Sequence, residues 1–237
     1  MNKLIPTKLL YLDIETVPQY PHYLDLPYNV KKHWDKKAAF IKKGNESELS
    51  AYKKAGIYAE FGKIICISIG AYHAVKKENK LRIKSFYGDD EKVLLKDFKE
   101  TIELFEKKEP VILCAHNGKE FDFPYICRRM LINKISLPAT LQLAGKKPWE
   151  ILHVDTMEMW RFGDYKNYTS LDLLTSIFNI PSPKTNMDGS QVADYYYHKK
   201  DLASIKKYCE QDVLAIAQVV LAYNNLSLLN LDEVEFV

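Results

Sequence analysis

Hydrophobic and polar positions along the chain fall into two rhythms. Three stretches, Leu9–Glu15, Ile64–His73 and Leu81–Tyr87, carry apolar and β-branched runs of strand length. The polar run Val75–Lys80 separates the second from the third and reads as a hairpin connection. After Asp89 and Asp90, either of which suits a helix N-cap, Val93, Leu94, Phe98, Ile102 and Phe105 recur at helical spacing, and Pro110 closes the segment. A further buried-strand pattern, VILCAHN at Val111–Asn117, leads into a helix from about Phe123 to Ile132. Thr169 and Ser170 open an amphipathic helix through Leu171, Leu174, Ile177 and Phe178, stopped by Pro181 and Pro183. The last and longest helix begins near Asp201 and ends near Asn224.

Strands first, then strands alternating with helices, predict an α/β fold: a central mixed sheet flanked by helices. No internal repeat and no dividing linker interrupts the pattern, so one domain is expected over residues 1–237. The segment Gln19–Gly62 stands apart as an insertion. It is polar, rich in Tyr and Lys, and long for a connection; such segments are usually functional, partly helical, or both. The C-terminal NLDEVEFV is acidic and is expected to be frayed or lightly docked.

Composition changes this picture little. With 47% hydrophobic and 27% charged residues the chain is an ordinary globular protein, which excludes disordered and fibrous classes. A net charge of +3 does not by itself argue for a nucleic-acid partner. The lysine pairs Lys31-Lys32, Lys42-Lys43 and Lys146-Lys147 read as solvated surface, some of it able to touch a polyanion through sequence-blind charge. The four cysteines, Cys66, Cys114, Cys127 and Cys209, lack C-x-x-C spacing and mostly sit in apolar surroundings, so buried free thiols are expected rather than disulfides or zinc. No run approaches the roughly 20 apolar residues of a bilayer span, and Asp13 breaks the N-terminal apolar stretch. A soluble, cytoplasmic protein is the expectation.

The candidate chemistry is carboxylate. Strand side chains alternate, so Asp13 and Glu15 share one face of an otherwise apolar strand. Asp122 follows the second buried strand in HNGKEFD, where alone it would read as a helix cap. In YCEQD, Tyr208 and Asp212 stand one helical turn apart, among the core-directed Ile205, Val213 and Ile216. If Asp13, Glu15, Asp122 and Asp212 converge, repulsion and desolvation raise their pKa values and oppose folding. Hard divalent cations, Mg²⁺ or Mn²⁺, are the natural compensation for such an all-oxygen set.

These residues carry a resemblance. Asp-x-Glu on a first strand (Asp13, Glu15), Asn-x-x-x-Phe-Asp after a later strand (Asn117, Phe121, Asp122) and Tyr-x-x-x-Asp in the last helix (Tyr208, Asp212) resemble the three motifs of the DEDD 3'–5' exonucleases. The stretches FGKIICISIG, HNGKEFDFPYI, MDGSQV and YCEQDV look closest to predicted stand-alone exonucleases related to the proofreading domain of family B DNA polymerases. In the histidine-type branch a His stands five residues before the last Asp. Here that position is Lys207, and Tyr208 places the chain in the tyrosine-type (DEDDy) branch.

The resemblance implies a ribonuclease H-like fold and hydrolysis of single-stranded DNA from the 3' end to nucleoside 5'-monophosphates. It implies two ions about 4 Å apart. Asp13 would bridge both, Glu15 and Asp212 would complete the nucleophile-side ion, and Asp122 would hold the second. Tyr208, a phenol of pKa near 10 and so a poor base, would orient the attacking water. Thr16, Asn117 and Phe121 lie beside the motifs as candidate contacts to the terminal nucleotide. Phe121 reads equally as a core aromatic, and Tyr195–Tyr197 as packing or a substrate wall. The lysines and tyrosines of Gln19–Gly62 are candidates to line a single-strand path. RNA is the alternative substrate with the same chemistry, and a non-catalytic nucleic-acid-binding module the other class. The chain is too short to include a polymerase, so any proofreading role needs a polymerase or repair partner.

Overall fold

The structure, a computed structural model, describes residues 4–44, 46–75, 78–164, 166, 168–181 and 187–237. Six strands form one mixed sheet in the order β5-β4-β1-β2-β3-β6. They are β1 (Leu9–Pro18), β2 (Gly62–Val75), β3 (Glu78–Tyr87), β4 (Ile112–Ala115), β5 (Val154–Asp155) and β6 (Val234–Phe236). β2 pairs antiparallel with both β1 and β3, whereas β4, β5 and β6 each pair in parallel with a neighbour. The helices are α1 (Tyr28–Ile41), α2 (Glu48–Ala51), α3 (Glu91–Glu106), α4 (Asp122–Ile132), α5 (Thr156–Arg161), α6 (Leu171–Ile177), α7 (Val192–Asp194) and α8 (Leu202–Tyr223).

Alternation along β1 divides the core. Leu10, Leu12 and Ile14 join Ile64, Ile67 and Ile69 against α3 and α4. Leu9 and Tyr11 face the other way and pack on Val213, Ile216, Ala217 and Val220 of α8. The β1–β2 register shifts between Glu15 and Thr16, leaving Ile65 without a cross-strand partner. At this bulge the consecutive residues Ile65 and Cys66 both enter the α8-side cluster, together with Val17.

The elements differ in detail from those expected of the sequence. The second and third strands run on to Val75 and from Glu78, so most of the expected 75–80 connection is strand and its centre, Lys76-Lys77, lies outside the described residues, as does Pro183. Asp90 is the N-cap of α3, its carboxylate accepting from the amides of Lys92 and Val93. Val93 is exposed, and Leu95 takes the expected place in the core because the buried stripe runs through Leu94, Leu95, Phe98 and Ile102. Ile177 is likewise exposed.

The C-terminus is not frayed. Residues Val234–Phe236 add a parallel strand to β3, whose edge would otherwise present unpaired backbone groups. The acidic run meets basic partners there: Arg82 donates to Glu235 at 3.0 Å.

The 19–62 segment is largely helical and has a small core of its own. Trp34 of α1 is fully buried, its ring 5.3 Å from that of Tyr52 and 5.2 Å from that of Phe61. A buried ion pair fastens this segment to the sheet and its helices. Glu91 accepts from the Ile64 amide at 2.7 Å, from Arg129 at 2.8 and 2.5 Å, and from Asn133 at 2.9 Å. Arg129 also donates to the Ala59 carbonyl and to Gln19, both at 2.9 Å. Glu91→Ala strands a guanidinium in the interior and should cost about 3–5 kcal/mol. Urea unfolding measures this, and a loss below about 1 kcal/mol would show the pair to be dispensable.

Candidate active site

The two charges of β1 face α8, on the side of the sheet where Tyr11 and Val17 are buried. Glu15 is buried and Asp13 half-buried at the mouth of a cleft. Opposite them, α8 buries Ile205, Cys209 and Val213 and turns Tyr208 and Asp212 toward the same cleft. Asp122 is the first residue of α4, and its carboxyl is held by its own amide and that of Ile14.

The four carboxyls feel one another. Burial pushes the Asp13 carboxyl well above the usual range, and the charges of Asp212, Glu15 and Asp122 add to the rise. Glu15 is raised in the same way, by burial first and then by Asp212, Cys66 and Asp122. Asp122 is pushed up to about 8, mainly by burial, with its amide contacts opposing. Asp212 rises to about 7, again by burial, with the Tyr208 hydroxyl opposing and Asp172 reinforcing. Oδ2 of Asp13 is buried without a hydrogen-bond partner. A repelling set of hard oxygen donors with an orphaned carboxylate oxygen fits divalent cations.

Cys209 was missed as a site neighbour. Its sulfur and carboxyl oxygens of Asp13 and Glu15 all lie within 4.8 Å of one another. Burial raises the thiol's pKa, so it stays protonated and donates to the Asp13 carbonyl at 3.4 Å. It ties β1 to α8 and is too soft a donor for the oxygen set.

The loop before α4 is pinned from below. Asp155, at the end of β5 and the N-cap of α5, accepts from the amides of Asn117 (3.0 Å), Lys119 (3.1 Å), Met157 (3.0 Å) and Glu158 (3.2 Å). Nothing in the local pattern announced this residue except an Asp ahead of a short helical run. Asn117 takes a left-handed backbone, φ 61°, and its buried Oδ1 has no partner. Gly118 is required by close approach, since a Cβ there would meet Ala115 and the Phe123 ring. His116 spans the loop: its Nε2–H donates to the Thr169 carbonyl at 2.8 Å and Nδ1 lies 2.9 Å from the Thr156 hydroxyl.

The cleft between α6 and α8 encloses about 850 Å³ and is walled by Asp13, Tyr208, Asp212, His116, Tyr168 and Thr175. Its size suits a nucleotide. The Tyr208 phenol is held well above its ordinary pKa by burial and by Asp212, Glu15 and Asp13. Lys207 is exposed.

Not every candidate joins this cleft. Thr16 lies on the opposite face of β1 from Asp13 and Glu15, with its hydroxyl against that of Tyr125. Phe121 packs on the Tyr125 ring at 5.3 Å and on the α3–α4 side of the core. The three consecutive tyrosines are packing. Tyr196 donates to Asp89 at 2.7 Å, Tyr197 to the Pro18 carbonyl at 2.5 Å, and Tyr195 lies under Lys199.

A mixed sheet with helices on both faces, its acidic residues gathered from β1, α4 and α8 beside a nucleotide-sized cleft, is the architecture of a ribonuclease H-like exonuclease domain. Residues 57–236 match the family described as predicted 3'-5' exonucleases related to the exonuclease domain of PolB, and the chain belongs to that family. The family makes it a 3'-5' exonuclease and implies use of divalent metal. Asp122, Tyr208 and Asp212 fall inside the matched span, whereas Asp13 and Glu15 join the site through geometry.

Proposed function

We propose that the protein hydrolyses single-stranded DNA from the 3' end, releasing nucleoside 5'-monophosphates. The observation that carries this reading is the burial of Asp13, Glu15, Asp122 and Asp212 close enough to raise the Asp13 carboxyl's pKa, beside a cleft large enough for a terminal nucleotide that Asp13 and Asp212 line. These residues would hold two divalent ions, Mg²⁺ or Mn²⁺, which when bound lower the pKa of water and neutralise charge on the phosphate.

The chain's own groups do the remaining work. Water attacks the terminal phosphorus, the bond from phosphorus to the 3'-oxygen of the preceding nucleotide breaks, and that oxygen leaves as a hydroxyl. Tyr208, kept protonated by burial and by its acidic neighbours, hydrogen-bonds Asp212 and orients the attacking water through its hydroxyl oxygen. DNA is favoured over RNA by the family's relation to the exonuclease domain of PolB.

The test is Mg²⁺- or Mn²⁺-dependent mononucleotide release from 3'-labelled DNA and RNA of one sequence, with Asp13→Ala as control. Release from DNA supports the reading, faster release from RNA replaces the substrate, and binding without release makes the chain a nucleic-acid-binding module. Tyr208→Phe should lose about a hundredfold in rate, as for one lost transition-state hydrogen bond, while Mn²⁺ binding measured by calorimetry stays intact. A rate equal to wild type would remove Tyr208 from the reaction.

A further inference from the structure

The 19–62 segment carries eight lysines against five acidic residues, which matches the whole chain's net charge of +3. Within it the lysines are not alike. Lys31 lies over the Tyr23 ring, Lys37 over the Tyr58 ring, and Lys42 and Lys54 pair with Glu48 and Glu46. Lys32 and Lys36 are exposed and make no ion pair or ring contact among the described residues.

Those two lysines belong to a stripe. Tyr28, Lys32, Lys36 and Phe40 follow at four-residue spacing along α1, so they climb one side of the helix over about 18 Å. That side is opposite the buried Trp34 and Ala38, and its aromatic ends are bare: Tyr28 is 86% exposed and Phe40 88%. Beside Phe40 a groove of about 600 Å³ is walled by Val30, His33, Lys36, Lys37 and Phe61.

Aromatic rings flanking free ammonium groups match the two faces of a single nucleic-acid strand, since bases stack on rings and phosphates follow lysines. A protein partner is disfavoured because burying Lys32 and Lys36 at the centre of the patch would desolvate both charges. The stripe is also tethered to the site. Three residues beyond Glu15, β1 ends at Pro18; the Gln19 amide donates to the Phe61 carbonyl at 2.7 Å, and the Phe61 ring lies 5.2 Å from Trp34, on the inner side of α1.

We propose that the outer face of α1 binds the single-stranded part of the substrate that trails 5' of the nucleotide being removed. This rests on the exonuclease reading above for the identity of the strand, and it makes α1 a grip that only longer substrates reach.

The experiment compares wild type with Tyr28→Ala/Phe40→Ala and Lys32→Glu/Lys36→Glu on oligonucleotides of about 4 and about 16 nucleotides. On the long substrate KM should rise about tenfold for either variant with kcat unchanged, while the short substrate is turned over as by wild type. Binding of the long oligonucleotide in EDTA, followed by fluorescence anisotropy, should weaken in parallel. For the lysine variant the slope of log K against log salt should shrink by about 1.4, as expected for two lost phosphate contacts. Equal effects on both lengths, or unchanged affinity for the long strand, overturn the proposal. Failure of wild type to release mononucleotides from either length refutes the exonuclease reading instead, and the EDTA binding arm still decides for or against α1.

Discussion

Asp13→Asn is expected to lower mononucleotide release by about three orders of magnitude or more, equivalent to about 4 kcal/mol of transition-state stabilisation. Asp13 is the carboxyl that all three others press upon, and the one whose Oδ2 is buried without a partner. An amide of the same shape keeps the packing but supplies neither the charge nor the second oxygen acceptor. The link to α8 survives, because Cys209 donates to the backbone carbonyl of residue 13. The far-ultraviolet circular dichroism spectrum should therefore match wild type while the rate collapses and Mn²⁺ stoichiometry in calorimetry falls. A variant that retains a tenth or more of wild-type activity would show that the reaction does not pass through this carboxylate.

Much of this site was legible because its periodicities are local. Asp13 and Glu15 are two residues apart on a strand and Tyr208 and Asp212 four apart on a helix, so each pair shares a face whatever the rest of the chain does. The same alternation assigns Thr16 to the other face, where it meets Tyr125; its candidacy rested on adjacency to Glu15 alone. What stayed hidden is long-range. β5 is two residues and β6 three, too short for any pattern, and β6 pairs with a strand some 150 positions earlier. Asp155 acts through four amides on two separate segments, a role no spacing encodes. In the 19–62 segment the lysine pairs obscured the helical period of α1, and only the burial of Trp34 and Ala38 shows which side faces inward.

The metal-free protein should lose stability as pH rises from about 5 to about 8, the reverse of the usual behaviour of carboxylates. Most carboxyls titrate lower in the folded state, so their contribution to stability grows with pH. Here Asp122 and Asp212 are raised to about 8 and about 7 in the fold, against roughly 4 in the unfolded chain. Between the two values the folded state binds more protons than the unfolded one, so unfolding releases protons and is favoured by higher pH. The stabilisation is complete below about pH 4 and is lost through the folded pKa values. Thermal melts in EDTA at pH 5, 6.5 and 8 should show the midpoint falling, and Mg²⁺ or Mn²⁺ added at pH 8 should restore it by mass action on the folded state. Asp212→Asn removes one of the repelling charges without altering the size of the residue. In EDTA at pH 8 it should melt several degrees above wild type, a gain on the order of 2 kcal/mol, and it should respond less to added metal. A metal-free midpoint that climbs with pH, or an Asp212→Asn variant less stable than wild type at pH 8, would mean that these carboxyls are not held uncompensated in the interior of the fold. The tension between folding and function would then lie elsewhere in the molecule.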